Sequence, residues 1–448
     1  MPGLTESQGK IVRSIVQTVP DAGLGQLTSV LSAQMGEHTM ADVRDIVMVE
    51  MRDRKIRSIV FSPIVSLCEK NQPGKNSSRF PFELPTLLWN ALVDTAPKLM
   101  AQAREMALRS ASEEVLPYIF NQACDAALTG LQTNDPNFQP VVVCLAKSSP
   151  DAVRDFIGFL KMSSVLRDVL IEIPLWVGRM NSDDELSVRL AYRDAAKLTA
   201  NGPARLFEFI YINLEAPRTI LRIISAALDR PSDLSVEGTD LIAFGDLLLD
   251  QCEASLQSIN GFDLGQGASA GTALASAAKS IIGTVTEFEE CIALSKNGPW
   301  GRRVARIKRD VSVEFEKLIF QVEILIPKAL PVAAAGQNQK ALNRSPNMFV
   351  APDPSAAARL EAILTFMAQI RSVASASGVG VLRSRIIAET QEFLEFYSNG
   401  VFALLSDFNQ DPDAVRARID VIAKYIALVH DDEAAERLRR RVITMQRR

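Results

Sequence analysis

The chain is short of the residues that build reactive or cross-linked sites. It carries two histidines in 448 residues, His38 and His430, so a histidine-rich metal centre cannot be assembled from it. Its five cysteines (Cys68, Cys124, Cys144, Cys252 and Cys291) are odd in number and include no C-x-x-C pair. They read as reduced, mostly buried small hydrophobes of a cytoplasmic protein. Aromatic residues make up 6% of the chain, and Trp89, Trp176 and Trp300 each lie in or beside an apolar helical run, where core packing is the expectation. No stretch offers the ~20 uninterrupted apolar residues of a membrane span. The nearest, from Leu318 to Val332, is interrupted by Glu323, Pro327, Lys328 and Pro331. The first residues have no basic segment followed by an apolar one, so a secretory signal is not expected. Neither sign of charge dominates. Lys and Arg number 49 against 53 Asp and Glu, which is not the balance of a nucleic-acid coat, and 47% hydrophobic residues are too many for a disordered chain.

What is present is helical periodicity. Thr39-Met-Ala-Asp42 resembles a capping box opening a helix to Arg57, and helices are expected over 86–110 and 112–131. Prolines then punctuate the middle: Pro203, Pro217 and Pro231 stand at corners between apolar runs, and Pro174 should kink or end the run Val169 to Val177. Further helices follow to the C-terminus. Only Arg57 to Phe61 and Val141 to Leu145 look strand-like, being short, β-branched and bounded by breakers. The fold class is therefore all-α, a multi-helical bundle with no substantial β-sheet. Glu-Phe-Glu recurs at 287–289 and 314–316 without flanking alignment, which leaves an irregular helical-repeat-like array open but unsupported.

Composition suggests an N-terminal helical unit over 1–70, a central bundle over 82–331 and a C-terminal bundle over 354–448 behind a flexible linker, 332–353. Asn71 to Ser78 and Gly261 to Gly271 also read as linkers. The near-zero balance hides an asymmetry, since residues 82–331 carry −8 while 1–81 carry +2 and 354–448 carry +1.

Few motifs carry chemistry. Gly267-Ala-Ser269-Ala-Gly271 is a literal G-x-S-x-G, and the chain order even permits Ser269, an acid such as Asp407 or Asp420, and His430. No buried strand precedes it, so a loop before a helix is the expectation, with Ser269 and His430 the weak catalytic candidates. The overlapping glycines lack the βαβ frame of a dinucleotide loop, and no phosphate-binding G-x-x-x-x-G-K-[ST] string occurs. Asp183-Asp184-Glu185 and Asp431-Asp432-Glu433 fall where helix N-caps belong, and neither they nor the lone imidazoles complete a metal site.

Basic residues cluster at Arg52/Arg54/Lys55/Arg57, at 302–309, and in the tail at Arg437, Arg439, Arg440, Arg441, Arg447 and Arg448. The tail follows acidic residues along one helix, as dipole complementarity alone would select. It is also the candidate binding element for an anionic partner. The leading expectation is a non-catalytic cytoplasmic scaffold or adaptor that binds other proteins through helix faces or grooves, with no cofactor and no metal. The alternatives are an all-α enzyme with a dispersed Asp/Glu/Arg site in a helical cavity, and a peripheral binder of anionic membrane or nucleic acid through the C-terminal arginines. Nucleic acid and membrane surfaces are less favoured than a protein partner.

Overall fold

A computed structural model describes residues 4–19, 21–33, 38–68, 79–109, 115–259, 261–333, 345–404 and 412–446. The chain is all-α, 81% helical, with 21 α-helices, three short 3-10 turns and no strand among the described residues. It divides into two compact units, 1–229 and 230–448. The boundary lies inside the stretch 82–331, at a tight corner where Asp229 and Arg230 both take positive φ (57° and 55°) immediately before Pro231.

The first unit holds α1 (Glu6–Thr18), α2 (Asp21–Ala33), α3 (His38–Val60), α4 (Ser62–Cys68), α5 (Leu84–Thr95), α6 (Pro97–Arg109) and α7 (Val115–Gln132). These are followed by α8 (Gln139–Ser148), α9 (Ala152–Lys161), α10 (Ser163–Val177), α11 (Ser182–Leu198), α12 (Gly202–Asn213) and α13 (Ile220–Ala227). Aromatic side chains knit its core. Phe61 meets Trp89 edge to face at 6.3 Å, and Phe80 sits between Phe156 and Phe159. Arg167 of α10 is 6% exposed and forms no salt bridge among the described residues. Instead it donates to the carbonyls of Val60 (3.0 Å) and Ile59, to the Ser62 hydroxyl and to the Asn121 amide oxygen, and lies over the Phe120 ring. The negative end of α3 thus acts as its counter-charge. Arg54 does the same for α1, donating to Val16 and Gln17 carbonyls while Glu50 accepts from both Arg54 and Arg57.

The second unit holds α14 (Asp233–Val236), α15 (Ile242–Ile259), α16 (Ala268–Cys291), α17 (Pro299–Ala329), α18 (Pro354–Gln369), α19 (Gly380–Leu404), α20 (Pro412–Val429) and α21 (Asp432–Gln446). Its axis is α17, 31 residues and hence about 46 Å long. Asp233, fully buried, terminates that helix from a distance. Its carboxylate accepts from the backbone N–H groups of Gly301, Ser295 and Leu234 at 3.0–3.1 Å. Gly298 makes room for it, since a Cβ there would overlap the carboxylate. α18 is buried on most sides, packing against α16, α17 and α20. The segment before it is pinned to the bundle at both ends. Val332 bridges Pro346, Asp353 donates to the Lys328 carbonyl, and buried Arg418 bonds Val350 O and the Tyr397 hydroxyl, which donates to Pro331 O. Residues 334–344 of the expected linker, and Asn71 to Ser78, lie outside the described residues.

Several sequence expectations are corrected. Arg57 to Phe61 ends α3 and Val141 to Leu145 lies within α8, so neither strand-like run is a strand. Each run buries one helical face, Val60 and Phe61 in the first and Val141 and Leu145 in the second, while Val143 stays exposed. The helix expected over 86–110 is broken at Ala96, whose φ and ψ (−131°, 53°) leave the α region ahead of Pro97. The Asp42 carboxylate accepts from the Leu4 N–H, and the Thr39 side chain of the expected capping box lies outside what is described. Gly261 to Gly271 is no loose linker. It contains a 3-10 turn, Leu264–Gln266, and the first turn of α16. Pro174 is carried within α10, which ends three residues later.

The Asp233 arrangement makes a stability prediction. Asp233→Ala strips a charged acceptor from three part-buried backbone N–H groups and should cost about 3 kcal/mol, while Gly298→Ala should displace the same carboxylate and cost a comparable amount. Urea unfolding followed by circular dichroism measures both; an unshifted midpoint for either variant would contradict the account.

Candidate functional site

The G-x-S-x-G string is a packing device. Ser269 lies in the first turn of α16 and its hydroxyl donates to the Gln266 carbonyl at 3.0 Å. Gly271 faces α18, where a Cβ would overlap the carbonyl oxygen of Ala362, so the small residues let two helix backbones touch. His430, just past the end of α20, pairs through Nδ1 with Asp431 at 2.8 Å. Asp420 lies beside Arg439, and Asp407 is outside the described residues. No hydrogen bond joins Ser269, Asp420 and His430 into a relay.

The acidic triplets are helix starts. Asn181 caps α11 and closes a box with Asp184. Asp431 caps α21 by accepting the Ala434 N–H, a bond that, together with His430, holds its carboxyl below the usual carboxylate range. Among the described residues no group of three or more His, Cys, Asp or Glu is placed to hold a metal ion.

The basic clusters are largely answered from within. Arg303 of α17 meets Asp246, Asp250 and Glu253, an acidic stripe along α15, and Arg306 also reaches Glu253. Lys308 pairs with Glu289 and Arg309 with Asp310. The tail splits by helix face. Arg439 and Arg440 turn to Asp420 and Glu436. Arg437, which pairs with Glu433, and Arg441 line one groove of about 390 Å3 with His430, between α19, α20 and α21. Its floor is Ile426, Val429 and Leu438, and Glu395 is its acidic member. Arg441 lies 4.4 Å from the centre of the Phe402 ring and donates to the Asn399 amide oxygen; among the described residues it has no carboxylate partner. Arg447 and Arg448 are outside the described residues.

A second surface has no signature in the sequence motifs. Helices α10 and α11 pack as an antiparallel hairpin across the short turn 178–181, with the Ser187 hydroxyl donating to Glu172 between them. Ile171 and Leu175 on α10, and Leu186 and Leu190 on α11, are 72%, 62%, 51% and 45% exposed. At 100° per residue each pair is rotated in the same sense from its facing residue, Glu172 or Ser187. Because the helices run antiparallel, both pairs then emerge on one face of the hairpin. The periodicity is visible in the sequence only as an ordinary i, i+4 repeat; exposure is what distinguishes it from core.

This apolar face has an acidic edge. Asp168 and Glu172 are held above the usual carboxylate range, each first by burial, and Glu172 also by repulsion from Asp168 and Asp184 across the hairpin. Arg189 is engaged by Glu185 and Asp229, and Lys197 by Asp194.

No known protein-family model matches this chain, no curated protein matches it in sequence, and no solved structure matches it in fold.

The cysteines are packing groups. Cys68, Cys124 and Cys252 are buried and Cys144 and Cys291 half-buried, and none of the five forms a disulfide. Burial raises the Cys68, Cys124 and Cys144 thiols and pushes Cys252 up to about 11. Since the thiolate is the reactive form, iodoacetamide on the folded chain should label Cys144 and Cys291 first, and the other three only after denaturant is added. Peptide mass spectrometry reads the order, and early labelling of Cys124 would contradict it.

Proposed function

We propose that this chain is a non-catalytic helical adaptor that docks a partner protein on the exposed face of the α10–α11 hairpin. The observation that carries the reading is the set Ile171, Leu175, Leu186 and Leu190, two i, i+4 pairs on one helix-hairpin face with an acidic edge. Contiguous exposed apolar side chains bordered by polar ones are the usual mark of a protein-binding surface. The occupant that fits is an amphipathic helix with basic flanks: its apolar stripe covers the four side chains and its lysines or arginines meet Asp168, Glu172 and Asp183.

A fluorescein-labelled 18-residue leucine–lysine helical peptide, titrated against the full chain by anisotropy, tests this. Ile171→Ser with Leu190→Ser removes two apolar anchors of about 1.5 kcal/mol each, so affinity should fall at least tenfold. The pH dependence has a defined sign. Raised carboxyl pKa values mean that Asp168 and Glu172 take up protons before ordinary carboxylates as pH falls from 7.5 toward 5. Peptide affinity should therefore weaken over that range, and Asp168→Asn with Glu172→Gln should flatten the response. Undiminished binding by the Ile171/Leu190 variant would overturn the reading. So would sedimentation showing that the chain dimerises and that this variant alone is monomeric, because the face would then be covered by a second copy.

A second reading rests on the convergence of His430, Arg437 and Arg441 on one groove. It supports docking of an acidic protein segment there. Binding of a labelled hexaglutamate peptide should be lost in Arg437→Gln/Arg441→Gln and weakened by salt. Retention in that variant, or equal capture by phosphatidylserine vesicles, would count against it.

A further inference from the structure

A cavity of about 530 Å3 opens in the second unit between the end of α15, the turn 261–265, α17 and α18. That size lies in the range of pockets that hold small organic ligands, roughly 300–1,000 Å3. Its floor is apolar and buried: Leu274 is 1% exposed, Ile259 8% and Leu318 9%. Its rim carries four charges, and two of them cancel, since Lys317 donates to Glu314 at 2.8 Å.

The remaining two have no charged partner among the described residues. Arg359 of α18 donates to the neutral Gln321 amide oxygen at 3.0 Å. Asp263 accepts only the Gly265 N–H, at 2.9 Å, where it caps the 3-10 turn. The two do not form an ion pair with each other. One open cavity therefore presents a guanidinium and a carboxylate, each uncompensated, above an apolar floor.

We infer that this cavity is a binding site for a small zwitterion with an apolar body, of the class of a free α-amino acid with a large apolar side chain. The ligand carboxylate meets Arg359, which offers the paired N–H geometry that carboxylates prefer. Its ammonium meets Asp263, and the side chain covers Ile259, Leu274 and Leu318. Each group left open by the fold is then satisfied by one group of the ligand. The inference is independent of the adaptor reading, which concerns the first unit.

Isothermal titration of the full chain with three probes tests it: L-phenylalanine, 3-phenylpropionate (which lacks the ammonium) and phenethylamine (which lacks the carboxylate). L-Phenylalanine should bind most tightly, with each single-charge probe at least about tenfold weaker. Arg359→Gln should weaken L-phenylalanine and 3-phenylpropionate about tenfold and leave phenethylamine unchanged; Asp263→Asn should do the reverse for the two amines. Asp263→Asn keeps an acceptor for the Gly265 N–H, and an unchanged Tm in both variants confirms that the fold is retained. Absence of binding by all three probes overturns the inference. Equal losses for all three probes in either variant also overturn it, because the cavity would then recognise no charge.

Discussion

The charge that the second unit depends on most is the buried carboxylate of Asp233. A 31-residue helix concentrates partial positive charge and unbonded N–H groups at its start, and α17 meets that requirement with an acid drawn from another element of the same unit. The rest follows: Gly298 must lack a side chain, Trp300 can then turn inward against Phe288, and its indole N–H reaches Asp246. The first unit solves the mirror-image problem with cations. Arg167 and Arg54 are placed where helices end, so that carbonyl oxygens take the part of counter-ions. For Arg167 this satisfies a buried charge without burying a full ion pair, whose desolvation often outweighs its attraction, whereas Arg54 also pairs with the buried Glu50.

With so many charges committed to helix ends and to matched stripes such as Arg303 with Asp246, Asp250 and Glu253, the unanswered groups become informative. Among the described residues three places stand out: the apolar hairpin face with its acidic edge, the groove in which Arg441 has no carboxylate partner, and the rim formed by Asp263 and Arg359. Each of the three offers charge or apolar complementarity to a partner or ligand. That complementarity is what the proposed binding role rests on.

Helical periodicity made the fold class legible because apolar residues recur every three to four positions over most of the length. What stayed hidden was any feature that depends on a distant neighbour. Gly271 looked like part of a nucleophile turn because its reason, the Ala362 carbonyl, is 91 residues away. The strand-like Val141 to Leu145 differs from a buried helical segment only in context. The tail arginines were legible as a cluster, yet which of them share a groove is settled by the rotation of α21 against α19, and that rotation also brings in His430. Ile171, Leu175, Leu186 and Leu190 carried no signal because exposed and buried i, i+4 pairs are spelled alike. The division at residue 229 was silent as well, since no Gly- or Ser-rich linker marks it.

That division is contiguous: all thirteen helices of the first unit precede residue 230, and all eight of the second follow it. Every long-range partner described for the first core, from Val16 with Arg54 to Arg167 with Val60, is therefore already translated before Pro231 is added. A nascent chain emerging N-terminus first can complete one core while the ribosome is still making the other. The left-handed corner at Asp229 and Arg230 then marks a boundary in time as well as in space.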